Sequence, residues 1–555
     1  MIYKKWILLR EAFTDWLSKW PSISNSHKFF NWRGYSLIWS SNLYARDSYI
    51  NNSWLVDLCN KVVDGDVIFT GSGIKKRSSL YLITSFLQDL FQHFLLLFFR
   101  NTVNVDSSNV IFFSLDINLR RDNGLFVDRH YSSQNATIPE LETSNFSSCY
   151  LLKTSFGINE LLHPIQFISK LNNYSKDFSR PIHIANKYVS LFDILAVHFS
   201  IIYFWFKLHF LKFNRNYRSS FTILGVDCYH ILSNEFEKSF YGPLQNSLLQ
   251  GLMVRNFLRK NFNSPRYFVN YLELSAVIRA TYFFIKNLPV KHTTIALQHA
   301  ISHKNKLGFY YRRAEFNYLS NDFIIGAPTA DFYFVHGPQF RKIASEFFPN
   351  NSIREIGFVK FDHLLISYPH RSHFSDHTPI CRRDDDFVIL LAPTVGADVH
   401  NLLRLFTVPF SQEKYRIILS PHPLANSMEL LQSISDLNLN ALIEMYPDYT
   451  TYELMLSCDL VVCGYSSTAV ESLFLGIPSI RILDESSIPF VEDEDAIPYA
   501  TSPDDFWHKV LNVQKGFNDS AVRLMLEYYF NDLTHKSSSL FWLELSKIMH
   551  YEPSN

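Results

Sequence analysis

Cysteine is scarce and scattered in this sequence. The six cysteines, at positions 59, 149, 228, 381, 458 and 463, form no CxxC pair and no metal-ligand spacing, which argues against a disulfide framework or a zinc ribbon. Cys458 and Cys463 flank an apolar run, and the set reads as reduced core thiols. Charge of one sign is not in excess either. The 52 basic residues balance 52 acidic ones, so no global field recruits nucleic acid. The opening MIYKKWILLREAFTDWL holds too little uninterrupted apolar sequence for an export signal. A cytoplasmic location is expected.

Long unbroken hydrophobic runs are missing too. Leu80–Phe99 is interrupted by Gln88, Asp89, Gln92 and His93, and Val189–Phe213 by Asp193, His198, Lys207 and His209. Each charge at a bilayer centre costs at least a few kcal/mol, so both segments read as buried or interfacial helices. Lys187, Lys207, Lys212 and Arg215 near the ends of the second suit a helix in the headgroup plane, attached peripherally to the inner face of the membrane.

Aromatic residues are abundant. The 50 Phe and 30 Tyr fill cores, and they also suit a protein that rests on a membrane or holds extended apolar or sugar ligands. At 555 residues, 47% hydrophobic and 19% charged, the chain is globular and too long for one core.

Along the chain, an aromatic helix and a loop come first, then expected strands at Ser36–Ser40, Asp66–Thr70 and Val110–Ser114. The second runs into Gly71-Ser72-Gly73 with Lys75, Lys76 and Arg77, either a plain turn or an anion cradle. Asp122–Lys176 is polar and reads as an excursion from the core. Next come a strand at Thr222–Val226, helical sequence to Lys260, a helix over Tyr271–Lys286 carrying Glu273, and strands at Thr293–Leu297, Phe332–Val335 and Arg354–Gly357. Asp362–Asp386 is poor in apolar residues and marks a linker. Beyond it, strands are expected at Phe387–Leu391, Arg416–Leu419, Ala441–Glu444, Asp459–Cys463 and Ser479–Leu483, with helices between and a helical end. The expected domains are 1–365, 386–530 and a terminal helix in 531–555. The alternation of strands and helices predicts an α/β fold with parallel sheets.

The most informative stretch is Thr450–Arg481, TTYELMLSCDLVVCGYSSTAVESLFLGIPSIR. It reads as helix, buried strand, Gly-Tyr-Ser-Ser-Thr turn, helix at Ala469–Leu475, and strand. Ser466, Ser467 and Thr468 are placed to cap that helix and offer its free N–H groups to a phosphate, with Glu471 one turn in, within reach of a ribose hydroxyl. An ordinary capped helix is the alternative. The string resembles the donor-nucleotide half of GT-B glycosyltransferases. With Leu391–Thr394 (LAPT), Ser420–Pro423 (SPHP) and Leu297–Ala300 (LQHA) it resembles the CDP-glycerol glycerophosphotransferases and capsule polysialyltransferases, and more loosely other bacterial surface-carbohydrate biosynthesis proteins. The resemblance covers about the last half of the chain. It implies two Rossmann-like, doubly wound domains facing a cleft, with an enlarged N-terminal domain.

Ligands of open α/β sheets bind beyond the carboxyl ends of the strands. His422 lies there, between Pro421 and Pro423, as an imidazole pre-aimed at a phosphate oxygen; His163-Pro164 has no strand before it and is discounted. Thr394 with Gly396 makes a small turn able to hold pyrophosphate or sugar, or else simply starts a helix. Asp448 and Thr450 are expected to cap the helix ending at Ser457. His299 follows a strand of the first domain and is the candidate general base for an acceptor hydroxyl, a structural histidine being the alternative. The acidic runs Asp384–Asp386 and Glu492–Asp495 read as solvated charge, and no metal or cofactor is expected; helix N-termini and histidines can neutralise a leaving group.

The resulting expectation is a metal-independent, inverting glycosyltransferase. It would move a sugar or polyol-phosphate from a nucleotide-activated donor to a surface polysaccharide or its lipid-linked precursor. A sugar-nucleotide 2-epimerase of the same fold remains an alternative, although Ser466-Ser467-Thr468-Ala469-Val470-Glu471-Ser472 lacks the Gly pair and second carboxylate of the Ser-Gly-Gly-x-x-Glu-Glu string those enzymes resemble each other in. A non-catalytic assembly subunit is also left open by Ser420, Ala300 and Gly464, where the sequence departs from the resembled pattern.

Overall fold

The computed structural model describes residues 2–45, 53–64, 80–99, 108–122, 124–128, 130–131, 146–178, 180–299, 301, 307–316, 319–320, 323–324, 326–362, 386–393, 397–408, 414–421, 427–464, 466–482, 495–516, 518–531 and 533–551. The chain divides into two compact units, residues 4–360 with 537–555, and residues 1–3 with 361–536.

The first unit is built on seven strands: β1 (Val110–Leu115), β2 (Ser148–Lys153), β3 (Ile182–Ile184), β4 (Tyr267–Asn270), β5 (Thr293–Leu297), β6 (Phe332–Val335) and β7 (Ile353–Glu355). Every neighbouring pair is parallel, and the spatial order is β3-β2-β1-β4-β5-β6-β7. Runs such as Val110-Ile111-Phe112-Phe113, all fully buried, are what a sheet covered on both faces requires. Order reverses between β1 and β4. A doubly wound sheet opens its ligand crevice at that reversal, beyond the carboxyl ends.

Helices cover this sheet, among them α1 (Leu80–Leu97), α2 (Leu191–Leu211), α3 (Tyr229–Lys238), α4 (Pro243–Asn261), α5 (Ala276–Lys286) and α6 (Ser537–Tyr551). The last returns from the end of the chain. Phe541, Trp542, Leu545 and Ile548 of α6 are buried in one cluster with Phe112, Tyr150, Val269 and Phe334 of the sheet. Much of the aromatic surplus is packing: Trp6, Phe13, Trp16, Trp20, Phe30 and Trp39 are all buried.

The second unit has six parallel strands: β8 (Phe387–Leu391), β9 (Tyr415–Leu419), β10 (Ile443–Met445), β11 (Leu460–Cys463), β12 (Ser479–Ile482) and β13 (Tyr499–Ala500). Their order, β10-β9-β8-β11-β12-β13, repeats the same winding. Its reversal falls between β8 and β11. Ile389, Leu391, Ile417, Leu419, Leu460 and Val462 form its core with Phe506 and Val510.

Several local expectations are corrected. Ser36–Ser40 is a two-residue strand at Tyr35–Ser36 followed by a 3-10 turn at Leu37–Ser40. The stretch expected as an excursion at Asp122–Lys176 contains a strand of the sheet, β2, paired on both sides, and most of a helix at Pro164–Asp177. Thr222–Val226 is a small antiparallel hairpin outside the main sheet, pairing Thr222–Ile223 with Val226–Asp227. The expected helix Tyr271–Lys286 starts only at Ala276, because Tyr267–Asn270 is a strand and Tyr271–Ser275 a loop. Asp66–Thr70, Gly71–Gly73, Asp384–Asp385 and Glu492–Glu494 lie outside the described residues.

Candidate functional site

At the carboxyl edge of the first sheet, three strands deliver side chains to the order reversal. β4 ends at Asn270 and the chain turns sharply, with Glu273 at φ 53°, a left-handed conformation that costs a non-glycine residue about 1 kcal/mol or more. The turn is held on both sides. Asn270 Oδ1 accepts from Leu272 N at 3.1 Å, and Tyr282 Oη donates to the Glu273 carbonyl at 2.6 Å.

What the turn achieves is the placement of the Glu273 carboxylate beneath His299, two residues past the end of β5. Glu273 Oε1 accepts from His299 N at 3.0 Å and faces His299 Nδ1 at 2.8 Å, while Oε2 accepts from Tyr333 Oη at 2.7 Å. The carboxylate is 7% exposed and the imidazole 33%. Charge-assisted bonds of this kind are strong because the acceptor is buried. With Nδ1–H donated to the carboxylate, Nε2 keeps a lone pair and can take a proton. Burial and the Glu273 charge hold the Tyr333 phenol well above its ordinary pKa, so it remains a donor.

His130 and Tyr271 complete this edge. The His130 ring stacks on Tyr271 at 4.2 Å and stands edge-on to His299 at 5.6 Å, with centroids measured in both cases. Tyr271 Oη is fixed by Leu115 N at 3.0 Å and by Asn118 Nδ2. Behind His299, His336 Nε2 lies 2.9 Å from the Gln298 carbonyl and its ring stacks on Phe358 at 4.1 Å. Burial lowers the pKa of His336 to about 3, so it is neutral at pH 7.

The carboxyl edge of the second sheet carries the Ser-Ser-Thr turn. Ser466, Ser467, Thr468 and Glu471 are brought together here. In the helix that follows, α7 (Thr468–Phe474), Ser467 has helical φ and ψ of −62° and −14° and caps no N–H. The side-chain bond to the first helical N–H comes from Ser466, whose Oγ accepts from Thr468 N at 3.2 Å and shares a hydrogen bond with Thr468 Oγ1 at 2.6 Å, while Ser467 Oγ donates to Glu471 Oε1 at 2.9 Å. The polar groups are knitted to one another.

The sequence pattern does not single out the residue that anchors this turn. Arg481 on β12, 2% exposed, donates to the Gly464 carbonyl from Nε at 2.9 Å and from Nη2 at 2.6 Å. A buried guanidinium under a turn fixes it geometrically and leaves a positive charge below it. The signal that could have found it is an arginine inside the apolar run Ser479–Ile482, which must find an acceptor. Ser420 Oγ is bonded to Thr451 Oγ1 at 2.7 Å, and Thr450 caps its helix as expected, its Oγ1 accepting from Glu453 N at 3.3 Å. Thr394 and His422 lie outside the described residues. Among the described residues no group of three His, Cys, Asp or Glu side chains is placed to hold a metal ion.

Two parallel sheets, one wound in 3-2-1-4-5-6-7 order and the other in 3-2-1-4-5-6 order, make the chain an α/β protein with two Rossmann-like units. No family model and no curated protein matches the sequence. Among solved structures, the chain is similar to a variant of the wall teichoic acid polymerase TagF soaked with CDPG, at 12% identity over 85% of this chain and 98% of that one, with a TM-score of 0.39. It is similar also to UDP-GlcNAc 2-epimerase from Neisseria meningitidis, at 10% identity over 79% and 99% of the two chains, TM-score 0.41, and to Anabaena Alr3699/HepE in complex with UDP and glucose, at 11% over 80% and 99%, TM-score 0.37. Likenesses this remote assign no activity.

The buried histidine makes stability depend on pH. The folded-state pKa of His336, about 3, lies below the ordinary 6.5, so the unfolded chain binds the proton first and stability falls as pH drops below about 6.5. Between pH 7 and pH 5 this one group should cost about 2 kcal/mol. Urea unfolding of His336→Gln at both pH values is expected to show a drop smaller than that of the parent by about this amount; an equal drop would mean that His336 is not held neutral.

Proposed function

We propose that this chain is a glycosyltransferase that moves a sugar, or a polyol-phosphate, from a nucleotide-activated donor to a surface polysaccharide or its lipid-linked precursor. The observation that carries the reading is the Glu273–His299 pair at the order reversal of the first sheet. An imidazole whose Nδ1–H is committed to a buried carboxylate is oriented and ready to take a proton at Nε2. His299 would remove the acceptor hydroxyl proton as the oxygen attacks the donor. The bond to the nucleotide breaks on the opposite side, and the nucleotide leaves with the electron pair, inverting the sugar centre.

The donor is assigned to the second unit. Ser466, Ser467 and Thr468 supply hydroxyls, Glu471 a carboxylate for the ribose, and buried Arg481 a positive charge behind the turn; the sequence pattern adds Thr394 and His422. No cofactor or metal is invoked. The 2-epimerase reading lacks support in the turn, which offers one carboxylate, Glu471, where the epimerase string has two.

Membrane attachment belongs to the same reading. Helix α2 is the one described helix long and apolar enough to cross a membrane, with 39% of that window buried. Phe192, Phe199, Tyr203, Phe206 and Phe210 are all more than half exposed, and their spacing of seven, four, three and four keeps them on one helix face. Asp193 and His198 turn the other way, Asp193 capping with Ser190 and His198 Nε2 facing Asp89 of α1 at 2.8 Å. A one-sided aromatic stripe with its charges tucked inward suits a helix lying on the cytoplasmic membrane face, near a lipid-linked acceptor.

Two outcomes are expected. With a donor chosen by a thermal-shift screen of CMP, CDP, UDP, GDP and dTDP sugars, His299→Ala should keep near-parental donor affinity and lose about 10²- to 10⁴-fold in transfer, whereas Glu471→Ala should weaken donor binding by about 1–3 kcal/mol. Normal transfer by His299→Ala would remove it from catalysis. Second, the protein should sediment with phospholipid vesicles and be released at least in part by high salt or carbonate, and Phe199→Ser with Phe206→Ser and Phe210→Ser should abolish sedimentation without altering solution stability. Sedimentation unaffected by the triple substitution would discard this face.

A further inference from the structure

The amino edge of the first sheet carries a feature that the proposed reaction does not use, a cavity of about 1210 Å³. His292 immediately precedes β5 and His299 follows its far end, so about seven residues, roughly 20 Å if extended, separate this cavity from the Glu273–His299 pair. The volume exceeds that of typical drug-sized sites, about 300–1,000 Å³. A lone inorganic anion would leave most of it empty.

Its walls are cationic and partly apolar. Lys286, Lys291, Arg341 and Arg354 line it against a single lining carboxylate, Asp331. That carboxylate is already committed, Oδ2 accepting from Thr294 N at 2.8 Å and from Thr294 Oγ1 at 2.7 Å, and Oδ1 meeting Lys286 Nζ at 3.0 Å. Glu355 and Glu544, outside the lining, steady Arg341 and Arg354, each at 3.2 Å. Lys291 is exposed and makes no ion pair among the described residues.

His292 also lines the cavity and is 7% exposed; its Nδ1 meets no hydrogen-bond partner among the described residues and is itself sealed from solvent. Burial, with the Arg266 charge adding to it, lowers its pKa to about 4, so the ring is neutral at pH 7 and adds no charge to the wall. Phe332 and Ile548 supply apolar wall for the face of a ring.

We propose that this cavity is a second ligand site, distinct from the donor and acceptor sites, for an acid-bearing sugar. Its phosphate or carboxylate meets Lys291 and Arg341, and its ring lies against Phe332 and Ile548. Nothing in this assignment requires the glycosyltransferase reading to hold.

The test is calorimetric titration of the full chain with glucose 6-phosphate, glucuronate and neutral glucose. At least one of the two acids is expected to bind, and glucose not to bind. Binding of only one acid identifies the group recognised as phosphate or carboxylate. Lys291→Glu, at an exposed and unpaired position, should raise Kd about tenfold or more through charge reversal, whereas Lys176→Glu, on the exposed surface elsewhere, should leave it unchanged. Glu471→Ala and His299→Ala should also leave it unchanged, which separates this site from the proposed reaction. No binding by either acid, an unaltered Kd in Lys291→Glu, or a loss that follows Glu471→Ala or His299→Ala would overturn the proposal.

Discussion

A buried carboxylate organises the carboxyl edge of the first sheet. Glu273 is nearly inaccessible and would be costly there unless every oxygen were engaged. It is engaged by a backbone N–H, an imidazole and a phenol, His299 N, His299 Nδ1 and Tyr333 Oη. These bonds tie the loops that follow β4 and β5 to Tyr333 within β6. They also explain why the backbone tolerates a left-handed Glu273: strain of that size persists where surrounding bonds over-determine the conformation. The same contacts that satisfy the carboxylate fix the ring of His299.

The second unit solves a comparable problem with the opposite charge. Buried Arg481 is satisfied at least in part by the Gly464 carbonyl, and in satisfying it the protein sets the shape of the turn that leads into Ser466 and Ser467. Each unit therefore places a buried, hydrogen-bonded charge at or beside its strand-order reversal, one acidic and one basic.

Much of the architecture is legible in the sequence. Thr293–Leu297, Phe332–Val335 and Phe387–Leu391 are strands with the expected bounds, because each is a short apolar run closed by polar or turn-forming residues. β2 is hidden: Cys149-Tyr150-Leu151-Leu152 is apolar, but it is embedded in a polar, Asn- and Ser-rich stretch whose average outweighs the local run. Glu273 reads as helical because Tyr271-Leu272-Glu273-Leu274-Ser275 contains no Gly or Pro to announce a turn. The turn depends on Tyr282 and on bonds across strands, which local pattern does not reveal. Ser467 reads as a cap from residue type, yet its hydroxyl goes to Glu471 four residues on, a competition that propensity does not resolve.

In the proposed reaction Glu273 and His299 act as one unit in proton removal. A double-mutant cycle on kcat/KM for transfer, with Glu273→Gln, His299→Ala and the double variant, measures that coupling directly. If the carboxylate works only through the imidazole, Glu273→Gln lowers transfer in the parent but changes nothing further once His299 is alanine, so the double variant equals His299→Ala. Losses that multiply independently would contradict the account.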